Sequence, residues 1–442
     1  MKITWKKSAV AAAAVATLTL SLAGCSDPGA GGGSSAGGPV SWPEQDADLT
    51  GTTLTVWAAQ STAETADSVI EGFEALTGAT VEVETIPDPY EQGVQTRVAT
   101  GDKPDIAFWQ PTESSLTALN ARTNLQPLDG APWLGNYDAN YADITGLLDD
   151  TRYAALVTVP AVEGVYYNKQ VLAEAGVTET PGDLDELLAT ARDLKADGVT
   201  PFHEMGGDRW ATQWWVQVQL ADAAADGLWD RVNTNEETFT DPTIQGAIDE
   251  YQGLIDEGLF NDDIATATFE DQGDALLAGD AAMVMQVNSF FGQLQAKADT
   301  AELNEKIGFF PISPSGNVGT FIPDQANAVV AFDTGDDAQE AASRQFLSYW
   351  MGEGYQGFVD DQETVSLMQG VDTPETVPEA LLASAESVPD AVGSMQALAV
   401  ANPDLYINLA DMIQGTKTPE QVAEATQQQF AELAKAQGST DF

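Results

Sequence analysis

The chain has 442 residues, of which 43% are hydrophobic, so it can bury more than one core and is not a disordered polymer. Asp and Glu number 69 against 17 Lys and Arg, and the resulting net charge of −52 repels phosphate backbones, which excludes nucleic acid as an expected partner. A single Cys and a single His exclude metal clusters of these residues, and we expect no metal and no cofactor.

The acidic residues are spread along the whole chain. One interpretation is attraction of a cationic ligand, and the other is a solvated, highly soluble surface. The scattered distribution favours the solvated surface.

Residues 1–24 have the pattern of an export signal. Three lysines and no acid stand in the first seven residues, and an apolar run of about 15 residues follows up to Leu22, shorter than the ~20 that span a bilayer. We therefore expect a removable signal, with an uncleaved anchor helix as the alternative.

The only cysteine stands directly after this signal. Leu22-Ala23-Gly24-Cys25 resembles a bacterial lipoprotein processing box, which implies that Cys25 is acylated and becomes the first residue of the mature protein. Residues 25–50 include GAGGGSSAGG and lack an apolar period, so they are expected to form a flexible tether. The predicted location is the outer face of the cell membrane, with a lipid anchor.

The first folded segment alternates strands and helices. Alternating or apolar runs predict strands over 53–57, 81–86 and 105–108, and helices are predicted over 64–77 and 90–100. The order β-α-β-α-β predicts a mainly parallel sheet with helices on both faces.

A second α/β pattern begins beyond residue 160. Strands are predicted at 164–168, 281–287 and 307–310, and helices at 184–194, 244–255, 337–351 and 419–436. Two such halves predict two lobes with a cleft between them.

Five short segments share their motifs and their order with one family. They resemble the maltose-binding-protein-like family of extracellular solute-binding proteins, through its G-x-x-PDI, G-x-x-YN, P-x-T-W-DEL … G-x-x-PF, G-x-AAM and G-x-x-P motifs. The matching segments are 101–106, 164–168, 180–202, 279–283 and 308–311.

This resemblance implies an α/β, two-lobe periplasmic-binding-protein fold of type II, with lobes joined by several crossover strands. The first lobe would comprise 51–158 plus 317–362, and the second 160–312 plus 365–442. It further implies a non-enzymatic, monomeric substrate-binding lipoprotein of an ABC importer, which closes over a carbohydrate and delivers it to the membrane permease subunits.

Several candidate ligand residues follow predicted strands. Ligands of open α/β sheets lie beyond the carboxyl ends of strands, and a sugar needs flat aromatic rings for its C–H face and amides or acids for its hydroxyls. Gln60 follows the first predicted strand, and Trp109 and Gln110 follow the strand of the PDI motif. Asn288 and Phe290 stand where the family often has Gly-Trp. The alternatives are a cap of backbone groups for Gln60 and core packing for Trp109.

Four further candidates lie elsewhere in the chain, beyond residue 160. Glu163 stands beside the crossing strand and is either a hydroxyl acceptor or a solvated hinge acid. Trp210 and Trp214 are four residues apart and would share one helix face. One of the three tryptophans Trp210, Trp214 and Trp215 is expected in the core, and Trp210 is favoured for the cleft. Asp324 lies where the chain should re-enter the first lobe.

Two alternative functions remain open at this point. The same fold could bind a polyamine, amino acid or peptide, since acids and aromatic rings suit a cation. An anchored glycoside hydrolase using two carboxylates is also possible, because 69 acids offer many pairs.

Overall fold

The computed structural model describes residues 41–87 and 89–442. The predicted signal, Cys25 and most of the predicted tether lie outside the described residues. None of the described helices is long and apolar enough to cross a bilayer.

The strands are short, except for one of eight residues that runs through the second sheet. In chain order they are β1 (Thr53–Ala58), β2 (Thr80–Thr85), β3 (Ile106–Phe108), β4 (Leu147–Leu148), β5 (Thr151–Arg152), β6 (Ala154–Leu156), β7 (Ala161–Asn168), β8 (Thr200–Phe202), β9 (Ala281–Gln286), β10 (Ile307–Phe310), β11 (Thr320–Ile322), β12 (Ala328–Ala331) and β13 (Val392–Gly393).

The helices surround the sheets. They are α1 (Asp67–Thr77), α2 (Tyr90–Ala99), α3 (Glu113–Ala118), α4 (Ala121–Asn124), α5 (Lys169–Glu174), α6 (Leu184–Ala196), α7 (Trp214–Gln219), α8 (Ala221–Ala225), α9 (Leu228–Asn233), α10 (Pro242–Asp256), α11 (Phe269–Ala278), α12 (Phe291–Gln295), α13 (Thr300–Lys306), α14 (Asp337–Trp350), α15 (Tyr355–Asp361), α16 (Glu379–Ser387), α17 (Met395–Leu398), α18 (Leu405–Ile413) and α19 (Pro419–Ala436). Short 3-10 helices lie at Gln60–Thr62, Leu134–Asn136, Trp210–Gln213, Asn288–Phe290, Gln325–Asn327 and Val388–Asp390.

The first sheet has the strand order β2-β1-β3-β12-β6. β1 is parallel to β2 and β3, whereas β12 is antiparallel to β3 and β6. Leu54 and Val56 of β1 are buried in one core with residues of α1, α2, α14 and α15. We call this sheet with its helices the first lobe.

α1 shows how the local sequence sets an element of this lobe. Val69, Ile70 and Phe73 recur at helical spacing and are all buried, and the helix ends at Gly78, whose φ of 74° is readily adopted only by glycine. The helix begins at Asp67, three residues later than its apolar pattern suggested.

The second sheet has the order β13-β11-β7-β9-β8, and β10 also pairs with β7. β7 is antiparallel to β9, β10 and β11. A second core covers one face of this sheet with α6, α7, α10 and α19, and a third, smaller core around Tyr166 lies with α12 and α16. These elements form the second lobe.

β11 lies within the segment 317–362 that the sequence analysis assigned to the first lobe, yet it pairs with β7 in the second. Three residues, Thr320–Ile322, carry no local signal for their partner strand. The remaining division of the chain between the lobes stays a prediction, whereas the α/β architecture on two sheets agrees with the expected fold class.

The chain passes between the sheets from β6 to β7, from β11 to β12 and, by way of α14, α15 and α16, from β12 to β13. The side chain of Asn327 joins the first two crossings: Oδ1 accepts from the backbone N–H groups of Ala161 (3.3 Å) and Asp324 (3.1 Å), while Nδ2 donates to Thr158 Oγ1 (2.9 Å) and the Val159 carbonyl (3.2 Å). One buried amide therefore holds two connecting segments together.

The lobes also touch away from these crossings. α3 of the first lobe packs against α17 of the second. Glu91 on α2 and Arg209 of the second lobe both act electrostatically on the Tyr406 hydroxyl of α18. The lobes therefore meet at these contacts as well as at the crossings.

Candidate functional site

The candidates after β1 and β3 differ in accessibility. Gln60 is exposed at the start of its 3-10 helix. Trp109 is fully buried, donates from Nε1 to the Ser115 carbonyl (3.0 Å) and packs near Tyr90, with ring centroids 6.4 Å apart. Gln110 is partly buried, and its Oε1 accepts from Ser115 Oγ at 3.3 Å. In this conformation Trp109 is therefore a packed side chain, and its contact with a ligand stays a prediction.

A row of aromatic rings runs along the second lobe. The Trp210 ring lies 6.1 Å from Trp214 and 5.3 Å from Phe269, and Phe269 lies 5.9 Å from Phe290. Trp210 is partly exposed, whereas Trp214 and Phe290 are buried. Three of the predicted site residues are thus brought together through Phe269, which the sequence analysis did not select.

The backbone directly before this row is strained. Arg209 has φ 68° and ψ −49°, and the Trp210 N–H donates to the Asp208 carbonyl at 2.8 Å, which closes a three-residue γ-turn. Such a turn at a non-glycine residue costs on the order of 1–3 kcal/mol and is found mostly at functional sites. Sequence reasoning missed Arg209, although it follows a Gly-Gly-Asp turn signal before the densest group of tryptophans.

Replacing Arg209 by Gly is expected to raise the free energy of unfolding by about 1 kcal/mol, because glycine adopts positive φ without a Cβ clash. Urea unfolding measures the change. Arg209→Ala is the matched control, since it removes the same side chain but keeps Cβ. Equal stability of the Gly and Ala variants would contradict strain at this position.

Two carboxyl groups are buried near each other in the second lobe. Glu163 lies within β7, directly opposite Thr320 of β11, and is fully buried. Neither Glu163 oxygen, nor the Thr320 hydroxyl, has a hydrogen-bond partner among the described residues. Glu204 follows β8, and its carboxylate accepts from the Met205 N–H (2.7 Å) and the Tyr251 hydroxyl (3.3 Å).

Burial changes the acidity of both groups. Loss of hydration raises the pKa of Glu163 well above its ordinary value, and the nearby Glu204 charge raises it further. Burial likewise raises the pKa of Glu204 to about 7, against the lowering effect of its two hydrogen bonds. Sequence reasoning missed Glu204, although it stands at a strand end like the residues it did select.

The unliganded protein is expected to lose stability as the pH rises from about 5 to about 7. Folded Glu204 keeps its proton up to a pKa of about 7, whereas the unfolded chain releases it near 4.5. Between these values the unfolded state binds fewer protons, so the free energy of unfolding falls with pH, by on the order of 3 kcal/mol in total.

Urea unfolding across this pH range tests the effect of Glu204. Glu204→Gln keeps a hydrogen-bond acceptor without titrating, and should flatten the slope. Glu163 adds a slope of the same sign, and His203, whose pKa burial lowers, adds one of opposite sign; both remain in the variant. An unchanged slope in Glu204→Gln would refute the assignment.

The remaining candidates lie at the crossings. Asn288 Nδ2 is 3.5 Å from the Val159 carbonyl, and its Oδ1 is buried without a partner among the described residues. Asp324 accepts from the Ala326 N–H (3.0 Å) and from Ser289, while burial raises its pKa. Asp324 is therefore hydrogen-bonded to Ser289, the residue that follows Asn288. Gln60 and Trp109 lie in other segments of the chain.

Two lobes on separate sheets, joined by crossing segments, are the architecture of two-lobe binding proteins. The model of the family "Bacterial extracellular solute-binding protein" matches residues 59–357. The chain belongs to this family, and its fold is the two-lobe, type II periplasmic-binding-protein fold.

Individual relatives agree with this assignment. The alpha-glucosides-binding periplasmic protein AglE of Rhizobium meliloti is 27% identical over 251 residues, which is 52% of this chain and 54% of that one. The chain spans about half the length of the curated relatives it matches.

Solved structures show the same fold. A chitin oligosaccharide binding protein superposes with a TM-score of 0.73 at 22% identity, covering 87% of this chain and 99% of its own. The protein RafE, in complex with raffinose, gives 0.73 at 19% identity, covering 87% and 100%.

Proposed function

We propose that this protein binds a mono- or oligosaccharide between its lobes and delivers it to the permease of an ABC importer. The observation that carries the proposal is the row of rings Trp210, Trp214, Phe269 and Phe290, in the same lobe as the buried, unpartnered oxygens of Glu163. Rings cover the C–H face of a sugar, and oxygens pair with its hydroxyls.

The relatives support this ligand class. One is named for binding alpha-glucosides, and the structural neighbours are described with chitin oligosaccharide and raffinose. Acylation of Cys25 would hold the protein at the outer face of the cell membrane, where a permease can receive the sugar. The protein would act there as a monomer. In this division of labour the protein itself catalyses nothing.

The test is a binding screen of the full chain, purified in a detergent without a sugar headgroup. Thermal unfolding is followed with glucose, maltose, raffinose, chitobiose, putrescine and a mixture of amino acids. A ligand at 100 times its Kd stabilises the folded state by about 2.7 kcal/mol, which shifts the Tm by several degrees. We expect such a shift with at least one saccharide, recovered chemically unchanged.

Trp210→Ala should abolish that shift. Trp42→Ala is the matched control, because Trp42 is also partly buried and packs edge-to-face against another tryptophan, Trp133, but lies in the first lobe. A shift with only putrescine or amino acids would replace the carbohydrate by another solute. Cleavage of the saccharide would replace binding by glycoside hydrolysis.

A further inference from the structure

Several of the buried side-chain atoms without hydrogen-bond partners lie near the crossings, and all but one of these few accept hydrogen bonds without donating any. In the described part of the chain they include both carboxyl oxygens of Glu163 and the amide oxygens of Asn288 and Gln325, together with the hydroxyl of Thr320. Carboxylate and amide oxygens only accept hydrogen bonds when the acid is ionised, so what this region lacks is donors.

These groups belong to one part of the fold. Glu163 and Thr320 face each other across β7 and β11. Asn288 reaches the Val159 carbonyl of the first crossing, and Gln325 opens the 3-10 helix of the second. Asn327, in that same 3-10 helix, bonds to the backbone of Val159.

The charges of this region are also uncompensated. Glu163 and Glu204 are both buried, and their like charges repel each other when both are ionised. Among residues 41–87 and 89–442, no Lys or Arg forms an ion pair with either of them. Buried carboxylates are normally paired or protonated, because an isolated charge in a low-dielectric site is costly.

A bound cation would supply both the missing hydrogen-bond donors and the missing positive charge. It supplies charge to the two carboxyls and, if it is an ammonium group, up to three N–H donors to the acceptor oxygens. The described residues contain no group of three or more His, Cys, Asp or Glu arranged to hold a metal ion, so an organic ammonium suits this pair of carboxyls better than a metal.

We propose that the saccharide bound by this protein carries a protonated amine, and that Glu163 receives this ammonium group, with Glu204 as the second carboxyl. This inference rests on the proposed function and narrows its ligand to amino sugars. When the site is empty, the two acids hold protons instead, in keeping with the raised pKa of each.

Calorimetric titration at about pH 6, where such an amine is protonated, compares three matched disaccharides. They are cellobiose, N,N′-diacetylchitobiose and the β-1,4 dimer of glucosamine, which share ring size and linkage and differ at C2. We expect the free-amine dimer to bind at least ten times more tightly than the other two. Tighter or equal binding of a neutral dimer overturns this inference and leaves the proposed function standing.

The variant Glu163→Gln removes the charge and keeps an acceptor. It should weaken binding of the glucosamine dimer about 100-fold while the affinity for the neutral dimers stays within a factor of three. Glu71→Gln, at an exposed position of α1, is the control and should change neither. Equal losses for charged and neutral dimers would make Glu163 an ordinary hydroxyl contact and overturn the inference.

The comparison of the three dimers needs only the unaltered protein, so it decides the matter even if Glu163→Gln does not fold. Putrescine is a further arm of the same titration. Binding of putrescine with no binding of any saccharide overturns both this inference and the proposed function.

Discussion

Trp109→Ala is expected to lower the free energy of unfolding by about 4 kcal/mol, because it empties a fully buried site of the first lobe. The indole packs near Tyr90 and donates to the Ser115 carbonyl, so both ring contacts and a hydrogen bond are lost. Urea unfolding of the unliganded protein measures the loss. A residue that mainly contacted ligand would instead leave the unliganded stability nearly unchanged.

Trp109→Phe separates the two roles. Phenylalanine keeps an aromatic ring in the core but removes the indole N–H, so we expect a smaller loss of stability, about 1–2 kcal/mol. If the Phe variant were as stable as the original protein but bound saccharide much more weakly, Trp109 would be a ligand contact that becomes exposed when the lobes separate.

Asn327→Ala is expected to destabilise the protein by about 3 kcal/mol. The substitution removes four hydrogen bonds and leaves the N–H groups of Ala161 and Asp324 without their side-chain acceptor in a mostly buried place. Its effect should exceed that of an ordinary polar substitution because the lost contacts join two separate connecting segments.

Asn140→Ala is the control for this variant, since Asn140 is exposed and its change should stay within about 0.5 kcal/mol. Thermal or urea unfolding of both variants provides the comparison. A loss below 1 kcal/mol for Asn327→Ala would mean that water replaces the amide, and that the crossings do not depend on it.

Much of the fold could be predicted from local patterns. The alternation in β1 and β2, the apolar face of α1 and the proline at the start of α19 each determine their element within a few residues. Partner strands were harder to predict. β11 has three residues and no distinctive pattern, and its pairing with β7 depends on where the rest of the chain brings it.

The site was predicted less completely. Spacing alone grouped Trp210 with Trp214, and the structure places their rings together. The same reasoning could not see that Trp109 is buried behind Tyr90, because that depends on α2 packing over the strand end. Glu204 was missed since its significance comes from Glu163, 41 positions earlier in the sequence, across the sheet.

The clamp formed by Asn327 constrains how the molecule can move. Since the β6–β7 and β11–β12 segments are both bonded to this one side chain, neither can shift relative to the other without breaking hydrogen bonds of the amide. A movement of one lobe that keeps the four hydrogen bonds of Asn327 must therefore carry both segments together.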